Sequence, residues 1–253
     1  MKRFMAAILA ALLVWPACAG TRRGSSERSI EKVVTHKVRE GETWQSMARD
    51  FYRDGTRAGE LASFNGTREE RPPAGGDGVR VPLSRTDLEL LEKRLDAASA
   101  YNLGIELASA GNYGEAVERF QRALSIDPNM SEASFNLAVT YQKLGLHVKA
   151  VSLLRELVER DPGRADYHFA LGNSHFHTGD FVRAKDAFMR TLEIDRTHRR
   201  ALYSLAVVHE KRAERDEALR CYREYLEIDP EGAWADEARA RRDAIIRSSD
   251  PER

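Results

Sequence analysis

The chain has 253 residues, 42% of them hydrophobic, enough for one or two domains with a core of their own, and this excludes a disordered chain. Its 40 basic and 40 acidic side chains cancel, so no net field draws it to nucleic acid. Two cysteines, Cys18 and Cys221, build no disulfide framework.

Met1-Lys2-Arg3 is a basic start, Phe4 to Trp15 is an apolar run and small residues follow, which together read as an export signal over residues 1–17. The run is too short to span a bilayer. Trp15-Pro16-Ala17-Cys18 resembles a bacterial lipobox, with tryptophan where that pattern usually has leucine. The resemblance implies a lipoprotein anchored through Cys18. Ala19 in place of aspartate implies delivery to the periplasmic face of the outer membrane, within the cell envelope. Ordinary cleavage after Ala17-Cys18-Ala19 is the alternative. With Cys18 lipidated, Cys221 is unpaired and reads as a small residue packed in a helix. Residues 18–33, polar and containing Gly24, Ser25 and Ser26, read as a flexible tether.

A small α+β module follows over residues 34–83. Thr35 to Val38 is a short strand ending at Gly41, and Trp44, Met47, Ala48 and Phe51 fall at helical spacing on one face. Ala58, Leu61, Ala62 and Phe64 mark a second helix, and Val79 to Pro82 returns as a strand beside the first. The order is strand, helix, helix, strand. His36 to Thr43, Ser46-Met47-Ala48, Leu61 to Gly66 and Val79 to Pro82, in that order and spacing, resemble the LysM family. The resemblance implies binding of the N-acetylglucosamine parts of peptidoglycan or chitin in a shallow groove. Gly41, Glu42 and Thr43 would form one wall, with Asn65, Gly66 and Gly76 on the other. A neutral module suits an uncharged sugar, and His36 to Pro82 carries eight basic and eight acidic side chains. Trp44 stands where the family usually buries leucine, which implies core packing rather than sugar stacking.

Thr86 and Glu89 have the spacing of a capping box that opens a leading helix over 86–96. No proline or glycine separates this helix from Ala97, so it is expected to run on. A leucine then returns every 34 residues, at Leu103, Leu137, Leu171 and Leu205. Each is followed by Gly104, Ala138, Gly172 or Ala206, and further on by Ala116, Ala150, Ala184 or Ala218. Self-similarity at this period means stacked helical pairs, here over 97–130, 131–164, 165–198 and 199–232. Gly111, Gly145 and Gly179 supply the turn inside each pair, and Ala213 at the fourth implies a distorted or shifted turn. Asp127-Pro128, Asp161-Pro162 and Asp229-Pro230 stop the second helices, with Arg196 in place of the third proline. Residues 233–247, with Trp234, Ala238 and Ile245 on one side, read as a capping helix. The four leucines are expected in the core.

The pattern resembles the tetratricopeptide repeat, which makes the second fold class an all-α tetratricopeptide-repeat solenoid. The resemblance implies a partner-binding groove on the first helices, with Tyr101, Phe135, Phe169 and Tyr203 at equivalent places. Gln142, Lys143, Asn173, Phe176 and Lys211 are its neighbouring candidates. The carboxylate clamp of chaperone-binding members is missing, because its places hold residues such as Ala98, Ile105 and Asp166.

His168, His175, His177 and His209 crowd the third and fourth repeats. His175 and His209 occupy an interior place, so core imidazoles are expected, with no metal and no cofactor. No nucleophile elbow, zinc-helix motif or phosphate-cradling loop is present. The expectation is a non-enzymatic envelope adaptor that binds peptidoglycan through the LysM-like module and a protein partner through the repeats. The alternatives are an assembly factor, such as a pilotin or chaperone for a secretion or pilus system, and, from a different class, a metal-dependent hydrolase.

Overall fold

The computed structural model describes residues 29–249. The expected signal 1–17, Cys18 and most of the expected tether lie outside the described residues. The chain divides into two compact units, one reaching to Asn102 and taking in Ser125–Pro128, the other formed by Leu103–Leu124 and the residues from Asn129 on. No helix among the described residues is long and apolar enough to cross a membrane.

In the first unit, strand β1 (Ile30–Lys37) pairs antiparallel with β2 (Gly78–Ser84), setting Val34 opposite Val81 and His36 opposite Val79. β1 begins well before the expected Thr35, so residues 30–33 are strand rather than tether. Their backbone finds its hydrogen-bonding partner in the far end of β2, where Val33 faces Pro82. Strand alternation turns Val34, His36 and Val38 inward. Between the strands lie α1 (Trp44–Tyr52), a 3-10 turn (Gly55–Arg57) and α2 (Ala58–Phe64), the expected order. Thr43 starts α1 through a reciprocal capping box with Ser46. Trp44, Met47, Phe51 and Leu61 close over Val34 and Val81. Trp44 is 2% exposed and its Nε1 donates to the Arg71 carbonyl at 2.7 Å, so its indole is core.

β2 runs directly into α3 (Arg85–Ser109), the leading helix and the first repeat helix in one element. Its capping box is Ser84 with Asp87, not Thr86 with Glu89. The Asp87 N–H donates to Ser84 Oγ at 3.2 Å, and the Ser84 N–H donates to Asp87 Oδ2 at 3.0 Å. The shift arises because the strand's last residue is already the helix cap, leaving no loop in which Thr86 could serve. Leu88, Leu91 and Leu95 of α3 pack on the module core.

The second unit continues with α4 (Tyr113–Ile126), α5 (Ser131–Lys143), α6 (His147–Arg160), α7 (Ala165–His177), α8 (Phe181–Ile194), α9 (Arg199–Lys211), α10 (Arg215–Ile228) and α11 (Ala235–Ser249). Each pair joins through a Schellman turn, with the N–H of Asn112, Leu146, Asp180 or Glu214 donating to the carbonyl of Leu107, Tyr141, His175 or His209 at 2.8 to 2.9 Å. The turn residue is left-handed at φ 83°, 73° and 80° in Gly111, Gly145 and Gly179. Ala213 adopts the same turn at φ 59°, so the fourth turn is neither shifted nor opened. It is strained instead, because a Cβ in this region crowds the next carbonyl. Ala213→Gly is expected to stabilise the array by about 1 kcal/mol, read as a raised urea midpoint at unchanged slope. A fall in the midpoint would count against strain at this turn.

α8 ends without proline. Asp195 takes the extended conformation at φ −131°, and its Oδ1 accepts from the Thr197 N–H at 3.0 Å and hydroxyl at 2.8 Å. This side-chain turn does the work of the missing ring. Leu137 and Leu205 are buried, but Leu171 is half-buried and Leu103 is 39% exposed, which corrects the expectation that all four are core. The side of α7 carrying Leu171 is flanked by Val151 and Arg155 of the preceding pair, and no pair precedes the first. Gly104 and Gly172 lie against Phe120 and Phe188, where an added Cβ would come within 2.7 and 2.6 Å of the rings. Cys221 is buried, and burial pushes its thiol up to about 11.

Candidate functional site

The first helices of repeats two to four, α5, α7 and α9, touch in succession and form one row. Phe135, Phe169, Asn173, Phe176 and Tyr203 are half-buried on this row, and Lys143 and Lys211 are exposed. The phenylalanines are seated on neighbouring rings: Phe135 lies 5.2 Å from Tyr167, Phe169 lies 4.7 Å from His198 and 5.8 Å from Phe188, and Phe176 lies 5.5 Å from Phe181. Each is therefore partly open to solvent while neighbouring groups hold it in place, a pre-organised apolar contact.

Three candidates leave the groove list. Gln142 Nε2 donates to the Ala170 carbonyl at 2.6 Å and to Ser174 Oγ at 2.7 Å, so its amide latches α5 to α7. Tyr101 is buried in the middle of the continuous α3, on the same stretch as buried Ala97 and Ala98. Tyr203 stacks on Trp234 at 5.5 Å and 20°, and burial together with a hydrogen bond to Glu237 pushes its phenol up to about 12. Tyr203 thus anchors the capping helix.

In the module, hydrogen bonds already engage the side chains expected to line the glycan walls. Val38 bridges them, its N–H donating to the Asp77 carbonyl and its carbonyl accepting from the Gly76 N–H, both at 2.8 Å. Gly75 in turn lies against the Glu40 backbone. Asn65 is fastened to β2. Asn65 Nδ2 donates to the Leu61 and Arg80 carbonyls, and its Oδ1 accepts from the Arg80 N–H at 2.8 Å. Glu42 accepts from the Arg39 N–H at 2.7 Å and from its guanidinium, and shares a 2.7 Å bond with buried His36 Nε2. Burial alone would raise the Glu42 carboxyl, but Arg39 and His36 outweigh it and hold the group below its ordinary range. Thr43 is spent on its cap. The side chains of Glu42, Thr43 and Asn65 thus serve the fold, and the surfaces of Gly41, Gly66 and Gly76 remain open.

The histidines do not converge. His168 bonds to the Pro162 carbonyl at 3.0 Å, His177 stacks on His147 at 4.4 Å, and His209 Nδ1 meets Glu214 Oε2 at 2.6 Å. His175 and His209 are buried. Among the described residues no three His, Cys, Asp or Glu side chains group as metal ligands. The His36–Glu42 and His209–Glu214 pairs escaped the sequence reading, because an alternating strand and a helical period mark burial and not partners.

Tetratricopeptide-repeat family models match residues 107–173 and 169–233. Among solved structures, a crystal structure of MamA is similar over 60% of this chain and 87% of that one, at 24% identity and a TM-score of 0.53. MamA residues 41 to the end from Desulfovibrio magneticus RS-1 match over 55% and 78%, at 21% and 0.52. YrrB, described as a TPR protein with an unusual peptide-binding site, matches over 61% and 78%, at 24% and 0.54. Likeness at these identities establishes the fold. No curated protein matches the chain.

Proposed function

Residues 107–233 are tetratricopeptide repeats, a scaffold for protein–protein interaction, and from that premise we propose a non-enzymatic cell-envelope adaptor that ties a protein partner to peptidoglycan. The observation that carries the reading is the row of phenylalanines on α5 and α7, each braced by neighbouring groups and partly open to solvent, with Asn173, Lys143 and Lys211 beside them. Apolar edges with a few polar groups fit an extended or helical segment of a partner protein. The LysM-like module supplies the second contact. With Glu42, Thr43 and Asn65 committed internally, sugar recognition falls to main-chain groups around Gly41, Gly66 and Gly76, which suits an uncharged glycan. Lipidation at Cys18 would hold both sites near the wall, and linking two moderate affinities raises the effective concentration of each.

Protein beginning at Gly20 is expected to sediment with purified sacculi, and a variant lacking residues 34–83 to stay in the supernatant. Retention of the full chain in the supernatant, where a control LysM protein sediments, would remove the glycan half. If deletion of 34–83 leaves partner assembly in cells intact, the assembly-factor reading replaces the adaptor.

A further inference from the structure

The side of α7 turned away from the candidate groove carries a feature that the adaptor reading does not use. Leu171 and His175 follow Phe169 and Asn173 by two residues, about 200° around the helix. There they line a cleft of ≈ 580 Å³ whose other walls come from α6 and α8. Three guanidinium groups open onto it, those of Arg155, Arg183 and Arg190, against the single carboxylate of Asp186. Arg155 makes no ion pair with any described residue. Arg183 and Arg190 are bridged to Asp180 and Glu193, each at 2.6 Å, but both arginines are at least half exposed, so these bridges exchange at little cost. His175 is 8% exposed, lines the cleft, and its imidazole has no hydrogen-bond partner among the described residues. His175 thus presents to the cleft an imidazole that makes no hydrogen bond within the described protein, beside the unpaired charge of Arg155. Val151, Leu171 and Ala187 are the apolar part of the lining, and His168, already bonded to the Pro162 carbonyl, completes it.

We propose that this outer cleft is a second binding site, taking an acidic segment of a partner protein. A carboxylate seats between the arginines, its neighbour's aliphatic side chain rests on Val151 and Leu171, and His175 hydrogen-bonds the segment. The lining decides the ligand class. A bare inorganic anion leaves the apolar half uncovered, and a nucleic acid finds no extended field on a chain with zero net charge. Because the groove and the cleft lie on different sides of the same helix, the scaffold could hold two partners at once.

The test uses the ¹⁵N-labelled protein beginning at Gly20 and a capped Leu-Glu-Leu-Asp-Leu peptide, with its Gln and Asn counterpart as control. The acidic peptide is expected to shift amides around Val151, Arg155, Leu171 and Arg190, and to bind at least tenfold more tightly than the neutral one. Arg155→Gln with Arg190→Gln, two exposed positions that leave the fold intact, is expected to remove that tenfold. Equal binding of the neutral peptide, shifts confined to Phe135 and Asn173, inorganic phosphate competing as well as the peptide, or no binding at millimolar peptide would each overturn the proposal.

Discussion

Phe188→Ala is expected to lower the unfolding free energy of the repeat array by about 3–5 kcal/mol, because it empties a fully buried ring site that α9 also closes. Phe188 belongs to one apolar cluster with Leu202, Leu205 and Tyr222, so its loss weakens both its own pair and the seam with the next. In a stacked array stability is close to a sum of units and seams, and a change that touches both terms propagates. The partner in this contact is Gly172. An alanine there would set its Cβ 2.6 Å from the ring, so Gly172→Ala is expected to cost about 1–3 kcal/mol on its own. The first repeat has the same pairing, Gly104 against Phe120, the second sets Ala138 with Leu154, and the fourth accommodates Ala206 with Tyr222, so alanine fits where the ring or its seat is placed differently. Gly172→Ala with Phe188→Leu therefore recovers part of the loss of either change alone, an interaction visible in urea melts followed by circular dichroism. Additive losses would show that the two positions do not share one space.

The period, the turn residue and the strand-helix-helix-strand order were readable because each is a local or periodic property of the chain. What was not readable is which polar side chain is already engaged. Gln142 looks like a groove residue until Ala170 and Ser174, some thirty residues on, take its amide. Asn65 and Glu42 sit at the right places for a sugar, yet one is fastened to Arg80 and the other to His36. No hydrophobic pattern encodes these pairings, since they depend on where a second element arrives. Leu103 fails for a related reason. Its repeat position is the same as that of Leu137, yet it is 39% exposed where Leu137 is buried, because burial depends on what arrives beside the helix and not on the period. The outer cleft is invisible to periodicity as well, because its arginines come from α6 and α8, its histidines from α7, and only the stack brings them together.

Asp87→Ala is expected to cost the N-terminal unit about 3–5 kcal/mol, as large a loss as emptying the Phe188 site, although only one small polar side chain is removed. Arg57 and Asp87 meet at 2.7 Å with side chains 9% and 7% exposed, and Ser84 adds its N–H and hydroxyl to the same carboxylate. Arg57 lies 3.6 Å over the Tyr52 ring and reaches Glu60 with its remaining nitrogens. Removing Asp87 leaves a guanidinium buried with only an exposed partner, and removes the carboxylate half of the capping box that starts α3. Burial by itself would raise the Asp87 carboxyl, yet the bonds from Arg57 and Ser84 outweigh it and hold the group below its ordinary range. A carboxyl that is more acidic folded than unfolded stabilises fully above the ordinary value near pH 4, and that contribution drains as pH falls toward the folded value. In protein beginning at Gly20, and so without Trp15, Trp44 fluorescence in a Trp234→Phe background reads the module alone of the two units. Its stability is expected to fall on acidification below about pH 4 in the parent and to be flatter there in Asp87→Asn. Arg57→Met combined with Asp87→Leu separates charge from packing, since replacing both partners by apolar groups is expected to be milder than Asp87→Ala. If the double change is worse than the single one, the pair itself, and not the uncompensated charge, holds α3 to the module.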